Sequence, residues 1–350
     1  NIALAGEILT QVAGEMLLFE EAYAALQELE KQGFYQSKNN RQLARFAQKL
    51  QQSRQISASN GGPMVQMQWK DFVLQPCSGA LPQPGPVPVY CGSRDPQEQL
   101  SILLPTLNRP EFLWRALNHY HRLGFRGWII IGDSSQEDIL AQNRRSVAQL
   151  ASNLKLLHLH LPSPPYLHDG MCQKEMVRRA VTPYVVYAGD DDLLVPPGLE
   201  RCVEFLEGRP DFVAAHGIRA NVCLENDQVW GKVTRAHLIL DPEMLYDLAT
   251  ARLESYLRAG FSTQYYVHRR EAWRTMYDQV GRVPLRYLGP ELLPCCLSAL
   301  QGKIKALEHL TVVFQEHEDK VFSIKKNLLI DLLNHPDWAR SIACIQEQVA

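Results

Sequence analysis

Between Leu100 and Ala188 four short strand-like runs alternate with three stretches of helical periodicity. The runs are Ser101–Leu104, Trp128–Ile131, Leu154–Leu161 and Tyr184–Ala188. The stretches between them span Glu111 to about Leu123, Glu137 to Ala151, and about Gly170 to Ala180. Strands that alternate with helices predict a parallel sheet joined by right-handed crossovers. In such a sheet ligands bind beyond the carboxyl ends of the strands. Polar clusters stand at three of those ends: Thr106-Asn108-Arg109, Asp133-Ser134-Ser135 and Asp190-Asp191-Asp192. The topology therefore predicts that all three converge on one crevice.

The third cluster follows directly on the fourth run, in YVVYAGDDDLLVPPG (Tyr184 to Gly198). Adjacent carboxylates repel one another. Flanked by apolar residues, they are costly unless a cation or hydrogen-bond donors stabilise them. A solvated acidic turn is the plain alternative. The buried strand before the triplet and the double Leu after it favour a divalent-cation site of hard oxygen ligands, suited to Mg²⁺ or Mn²⁺.

SILLPTLNRPEFLWRAL, then IIIGDSS, then a helix leading into TPYVVYAGDDDLLVPPGL, resembles a GT-A glycosyltransferase of the inverting family 2 over roughly Leu100 to Asp319. The resemblance implies an α/β fold, a Rossmann-like, mostly parallel mixed sheet flanked by helices. It also implies a nucleoside-diphosphate-sugar donor, with a UDP-sugar as the default, a divalent cation, and a glycan, lipid-linked or protein acceptor. Pro105, Thr106, Asn108 and Arg109 then form the loop beside the donor nucleotide. Asp133 takes the place whose carboxylate meets the nucleobase, or else caps the following helix. Lys174 supplies positive charge near the diphosphate. Asp191 is the metal ligand and Asp190 its neighbour on the nucleotide side. Asp192 is a further carboxylate of the metal shell or a cap for the helix beginning near Pro196. His317, after the strand Ile304 to Phe314, can meet the metal or diphosphate. Glu291, opening the helix of LGPELLPCCLSALQGK, is the candidate base for the acceptor hydroxyl. Two positions depart from the family pattern: Gly189 and Pro290 stand where relatives usually carry an acid. Trp230, Tyr265, Tyr266 and His268 are acceptor-side candidates that could equally be core.

The remainder of the chain divides into a helical hairpin over 1–55, a Pro/Gly-rich linker with a weak edge strand over 56–98, the catalytic domain over 99–320, and C-terminal helices over 321–350 that pack on the domain. The hairpin is a packing or protein-partner surface. Its start at Asn1, without Met or a basic stretch, reads as trimmed. With 46% hydrophobic and 21% charged residues, the 350-residue chain has the composition of a soluble protein with ample core. A net charge of −2 argues against a broad nucleic-acid surface. Eight cysteines form no CxxC or zinc spacing, which predicts reduced thiols and a cytoplasmic setting, free or peripheral at the inner face of a membrane. Two other classes stay open: a nucleotidyltransferase, which would want a Gly-rich basic loop where PTLNRPEF stands, and a non-catalytic nucleotide-sugar or helical interaction module in which Gly189 and Pro290 mark a decayed site.

Overall fold

The computed structural model describes residues 92, 94–162, 169–225, 229–259, 262–278, 280–285, 288–317 and 335–349. The hairpin expected over 1–55, most of the expected linker, and the helix expected from Val321 lie outside the described residues. Among the described residues, nine strands form one sheet in the order β3-β2-β1-β4-β8-β6-β9-β5, with β7 paired to β6. Strands β1 (Leu100–Thr106), β2 (Trp128–Asp133), β3 (Lys155–His160) and β4 (Tyr184–Tyr187) are parallel. Helices α1 (Pro110–Arg122), α2 (Glu137–Leu150) and α3 (Asp169–Arg179) join them.

β1, β2 and β4 are apolar over most of their length because both faces are covered, whereas β3, at the sheet edge, carries Lys155, His158 and His160 and is only partly buried. Ile102, Leu104, Ile129, Ile131 and Val186 face α1 and α4 (Pro196–Glu207), meeting Leu113, Leu117, Tyr120, Leu199 and Val203. The alternate residues Leu103, Ile130 and Val185 face the other way, onto Cys172, Met176 and Val177 of α3 and Trp273 and Met276 of α6 (Arg270–Asp278). Each fully buried side chain of this size contributes about 1.5–3 kcal/mol. α3 can lie close on β2 because Gly132 has no side chain: a Cβ there would come within 2.3 Å of Cys172 Sγ.

The second half of the sheet is mixed. β8 (Val267–Arg269) runs antiparallel to β4 and to β6 (Phe212–Leu224). β6 is antiparallel to β7 (Val233–Ile239) and parallel to β9 (Lys303–Glu316). Leu193 and Leu194 form a two-residue strand, β5, antiparallel to β9 at Val313 and Val312. This short pairing carries the acidic triplet to the end of β9, where His317 lies. Helices α5 (Ala249–Ala259) and α7 (Leu293–Gln301) pack with α6 around Tyr256, Cys295, Cys296 and Ala299. The last helix, α8 (Trp338–Val349), lays Ile345, Trp338 and Ile342 on Val283, Leu285, Leu288 and Leu293. None of the described helices is long and apolar enough to cross a membrane.

Three elements differ in extent from what their sequence patterns predict, a helix over Glu243 to Arg258 and strands over Phe261 to His268 and Asp211 to His216. The helix expected from Glu243 begins at Ala249, because Met244 is held in a backbone bridge to Ile304 instead. The strand expected over Phe261 to His268 is confined to Val267–Arg269. A turn precedes it, closed by Tyr266 N donating to Thr263 O at 3.2 Å. β6 continues eight residues past His216, to Leu224.

Candidate active site

Register alone aligns two of the three polar clusters: Thr106 at the end of β1 is the partner of Asp133 at the end of β2. Pro105 is the residue before, opposite Gly132. The loops that follow are tied together by Asn108. Its backbone N–H donates to Ser135 Oγ at 2.8 Å, and its Oδ1 accepts from Gln136 N at 2.9 Å. Asn108 has φ +55°, a left-handed conformation that Asn tolerates better than most residues.

Asp133 is fully buried. Oδ1 accepts from Ser135 N at 2.9 Å, and Oδ2 accepts from Asn143 Nδ2 and His158 Nε2, both at 2.9 Å. Burial pushes its pKa up, but the donors from His158, Ser135 and Asn143 outweigh burial and hold it below the usual carboxylate range. The carboxylate braces the turn into α2.

The acidic loop is built around two arginines of the α1 region. Thr106 Oγ1 donates to Asp190 Oδ2 at 2.8 Å, and Arg109 Nη1 donates to Asp190 Oδ1 at 2.7 Å. Arg109 also reaches Asp191 Oδ2, through Nη2 at 3.2 Å and Nη1 at 3.3 Å. His317 Nε2 lies 2.7 Å from the same oxygen. Since the carboxylate accepts, His317 donates here, and its 3.2 Å approach to Arg109 Nη2 is that of two donors sharing one acceptor. Phe112 lies under both: the Arg109 guanidinium is 4.1 Å from its ring centre, and the His317 ring stacks at 5.6 Å and 22°. Burial raises the Asp190 pKa, opposed by Arg109 and reinforced by Asp191. Asp192 turns the other way. Tyr265 donates its hydroxyl to Oδ2 at 2.6 Å, and the Gln315 N–H donates to Oδ1 at 3.0 Å. It does not cap α4, whose first residues follow Val195 with no side-chain cap.

Arg115 was not evident as a site residue. It is 7% exposed and reaches the site from the inner face of α1. Nη2 donates to the Asp191 carbonyl at 2.6 Å. Nη1 donates to the Val229 carbonyl at 2.7 Å and to Gln315 Oε1 at 2.5 Å. Burial pulls its pKa down to about 10, opposed by Asp191, so it stays charged at neutral pH. The sequence carried one trace of it: Arg115 falls three residues after Phe112, between Leu113 and Ala116-Leu117, on a face otherwise apolar.

A Cβ on Gly189 would sit 2.7 Å from Asp191 Oδ1 and 3.0 Å from Asp192 Oδ2, so a further acid there would have to push these carboxylates aside. Pro290 is buried, its carbonyl accepting from Gln264 Nε2 at 2.6 Å. Glu291 follows in a π-helical turn, Leu288–Leu292, and is half-buried. Burial above all, with the Glu291 charge beside it, raises the pKa of Cys295.

Other candidates are held elsewhere. The Lys174 ammonium donates to the Asp278 carbonyl at 2.6 Å, at the end of α6, and is not brought to the acidic loop. Tyr266 donates to Asp241 Oδ2 at 3.0 Å, and His268 meets Ser298 Oγ at 3.0 Å, both in the core. Trp230 stands 6.0 Å from the Arg115 guanidinium.

Sheet order, flanking helices and the acidic loop at the end of β4 give the mixed, mostly parallel α/β architecture expected from the sequence. No family model and no curated protein sequence matches the chain. Solved structures similar to it include TarS of S. aureus, in a 1–349 form in complex with UDP-GlcNAc, at 12% identity and TM-score 0.41, covering 71% of each chain. A longer TarS structure is similar at 13% identity and TM-score 0.39; the match covers 71% of this chain and 42% of that one. The mannosyltransferase PcManGT of Pyrobaculum calidifontis, in complex with GDP-Man and Mn²⁺, is similar at 14% identity and TM-score 0.44, covering 73% of this chain and 68% of that one.

Among the described residues, no group of three or more His, Cys, Asp and Glu side chains is set out as a metal cage. The donor types at the loop nonetheless suit a divalent cation: the carboxylates of Asp190 and Asp191 and the imidazole of His317. Here they are drawn around the guanidinium of Arg109 instead.

Proposed function

We propose that the chain is an inverting glycosyltransferase that moves a sugar from a nucleoside-diphosphate sugar to an acceptor hydroxyl. The observation that supports this reading is the convergence of Thr106, Arg109, Asp190, Asp191 and His317 at the carboxyl edge of a parallel sheet, with His317 arriving from 126 residues beyond Asp191. A nucleotidyltransferase would want a Gly-rich basic loop after β1. That loop is instead Leu107-Asn108-Arg109-Pro110, braced by Ser135 and Gln136.

Asp191, with Asp190 and His317 beside it, would hold Mn²⁺ or Mg²⁺. When bound, the ion would supply charge neutralisation for the leaving diphosphate. Arg109 lies within reach of the same region and adds a second positive group toward that charge. Thr106 fixes the Asp190 carboxylate, and Arg115 fixes the loop backbone at Asp191. Glu291 accepts the proton of the acceptor hydroxyl as the oxygen attacks the anomeric carbon opposite the diphosphate. The transition state has oxocarbenium character, as in other glycosyl substitutions. UDP-sugars are the first donors to try, with glycan, lipid-linked or protein hydroxyls as acceptors.

The test is transfer or slow hydrolysis of a panel of nucleotide sugars with Mn²⁺, against nucleoside triphosphates with sugar phosphates. Release of nucleoside diphosphate from a sugar donor, lost in Asp191→Ala, is the expected result. Pyrophosphate release from a triphosphate, or undiminished transfer by Asp191→Ala, would overturn the reading.

A further inference from the structure

Three carboxylates stand in the acidic loop, and the structure separates them by partner. Asp192 is committed inward, to the Tyr265 hydroxyl and the Gln315 N–H. Asp190 and Asp191 face a single guanidinium, that of Arg109, with contacts of 2.7 Å and 3.2 Å. These are the two carboxylates, and His317 the imidazole, that the proposed transfer assigns to a divalent cation. Arg109 thus stands where the ion would stand, among the ligands the ion would need.

The placement is built rather than incidental. Arg109 immediately precedes α1, and its guanidinium lies over Phe112, one turn into that helix. Phe112 also stacks on His317, so one ring seats the guanidinium and the imidazole together. A cation over an aromatic face gains from the ring quadrupole. The fork geometry gives each of two carboxylates its own nitrogen, where an ammonium would offer both a single nitrogen. Outward, the arginine has somewhere to go: its side chain is 22% exposed, and Leu107 two residues before it is 45% exposed.

We propose that Arg109 is the resident counter-ion of the acidic loop, and that a divalent cation enters by displacing its guanidinium from Asp191. The displaced side chain, still tethered beside the site, then meets the donor diphosphate. This inference rests on the assignment of the loop to metal-assisted transfer. It adds that the chain supplies its own cation when the metal is absent, so that metal binding is a competition between two positive groups. Without Arg109 the two carboxylates would lose the guanidinium they share, and a divalent ion would no longer compete with it.

The experiment is Mn²⁺ titration followed by the loss of the free-ion paramagnetic resonance signal, without nucleotide. It compares the full chain with Arg109→Gln, Arg109→Lys, Asp191→Asn and the double variant Arg109→Gln/Asp191→Asn. Removing a charge-assisted competitor predicts Mn²⁺ binding by Arg109→Gln about tenfold tighter than by the parent. Arg109→Lys, which keeps the charge and loses the fork, should fall between them. Both variants lacking the Asp191 carboxylate should lose the site. Equal or weaker binding by Arg109→Gln, with Asp191→Asn still abolishing it, would overturn the competition alone. Binding that persists in Asp191→Asn, or no binding in any protein, would overturn the competition together with the metal assignment. Far-UV circular dichroism checks folding. If Arg109→Gln fails to fold, Arg109→Lys decides: tighter binding than the parent supports the proposal, and unchanged binding overturns it.

Discussion

At the residue scale the site depends on side chains that hold other side chains. Arg115 makes no contact with the Asp190 or Asp191 carboxylate among its hydrogen bonds, yet it is the fixed point of the acidic loop. It bonds the Asp191 carbonyl, the Val229 carbonyl and Gln315 Oε1 from a buried position. Arg115→Met keeps much of the bulk and leaves three acceptors without their donor. Each unsatisfied buried group costs about 1–3 kcal/mol, so a loss of roughly 3 kcal/mol is expected in urea denaturation. A loss below about 1 kcal/mol would mean that the loop stands without it. Glu291→Gln, by contrast, should leave stability and donor affinity unchanged and slow transfer by about 10²–10⁴-fold, the scale of a general base. Single-turnover rates at saturating donor would check this, and an undiminished rate would move the base elsewhere.

At the element scale the close approach of α4 to β9 is set by Gly198. In most helices Ala in place of Gly is worth up to about 1 kcal/mol of added stability. Here a Cβ would come 1.8 Å from the Leu310 carbonyl oxygen, so the sign reverses. Gly198→Ala should cost about 1–3 kcal/mol, read as a lower melting temperature. A stabilised variant would contradict this packing. The same scale shows what the sequence makes legible. β1, β2 and β4 and the helices between them announce themselves because strands buried on both faces are nearly continuous apolar runs. β5 does not, since two leucines pair with a strand more than a hundred residues later and no local pattern encodes that. Tyr265 is read only as an acceptor-side or core candidate for a related reason. A turn, rather than the expected strand, presents its hydroxyl to Asp192. The three polar clusters are foreseen because topology alone places them at one edge. Lys174 shows the limit of that argument: its position on α3 is foreseen, but its ammonium has a nearer carbonyl at Asp278.

Over the whole molecule, acid should loosen the fold through its buried imidazoles. His268 is fully buried, and burial pulls its pKa from 6.5 down to about 4. With Nδ1 donating to the Tyr266 carbonyl, its Nε2 accepts from Ser298 as a neutral ring. A folded-state pKa below the unfolded value means stability that is complete above pH 6.5 and is lost as pH falls toward 4. The shift corresponds to roughly 3 kcal/mol at most. His216, also buried and lowered mainly by burial, acts in the same direction. Urea midpoints should therefore drop between pH 6.5 and 4, and His268→Gln should flatten that slope; an unchanged slope would contradict the assignment. The central claim, however, concerns the edge of the sheet where Asp190, Asp191, Arg109 and His317 meet. Its most direct test is calorimetric titration of UDP- and GDP-sugars into the chain with Mn²⁺, beside Asp191→Asn. Saturable binding of at least one nucleotide sugar, weakened at least tenfold, about 1.4 kcal/mol, in the variant, is the expected result. Equal binding by both proteins, or none by either, would contradict it.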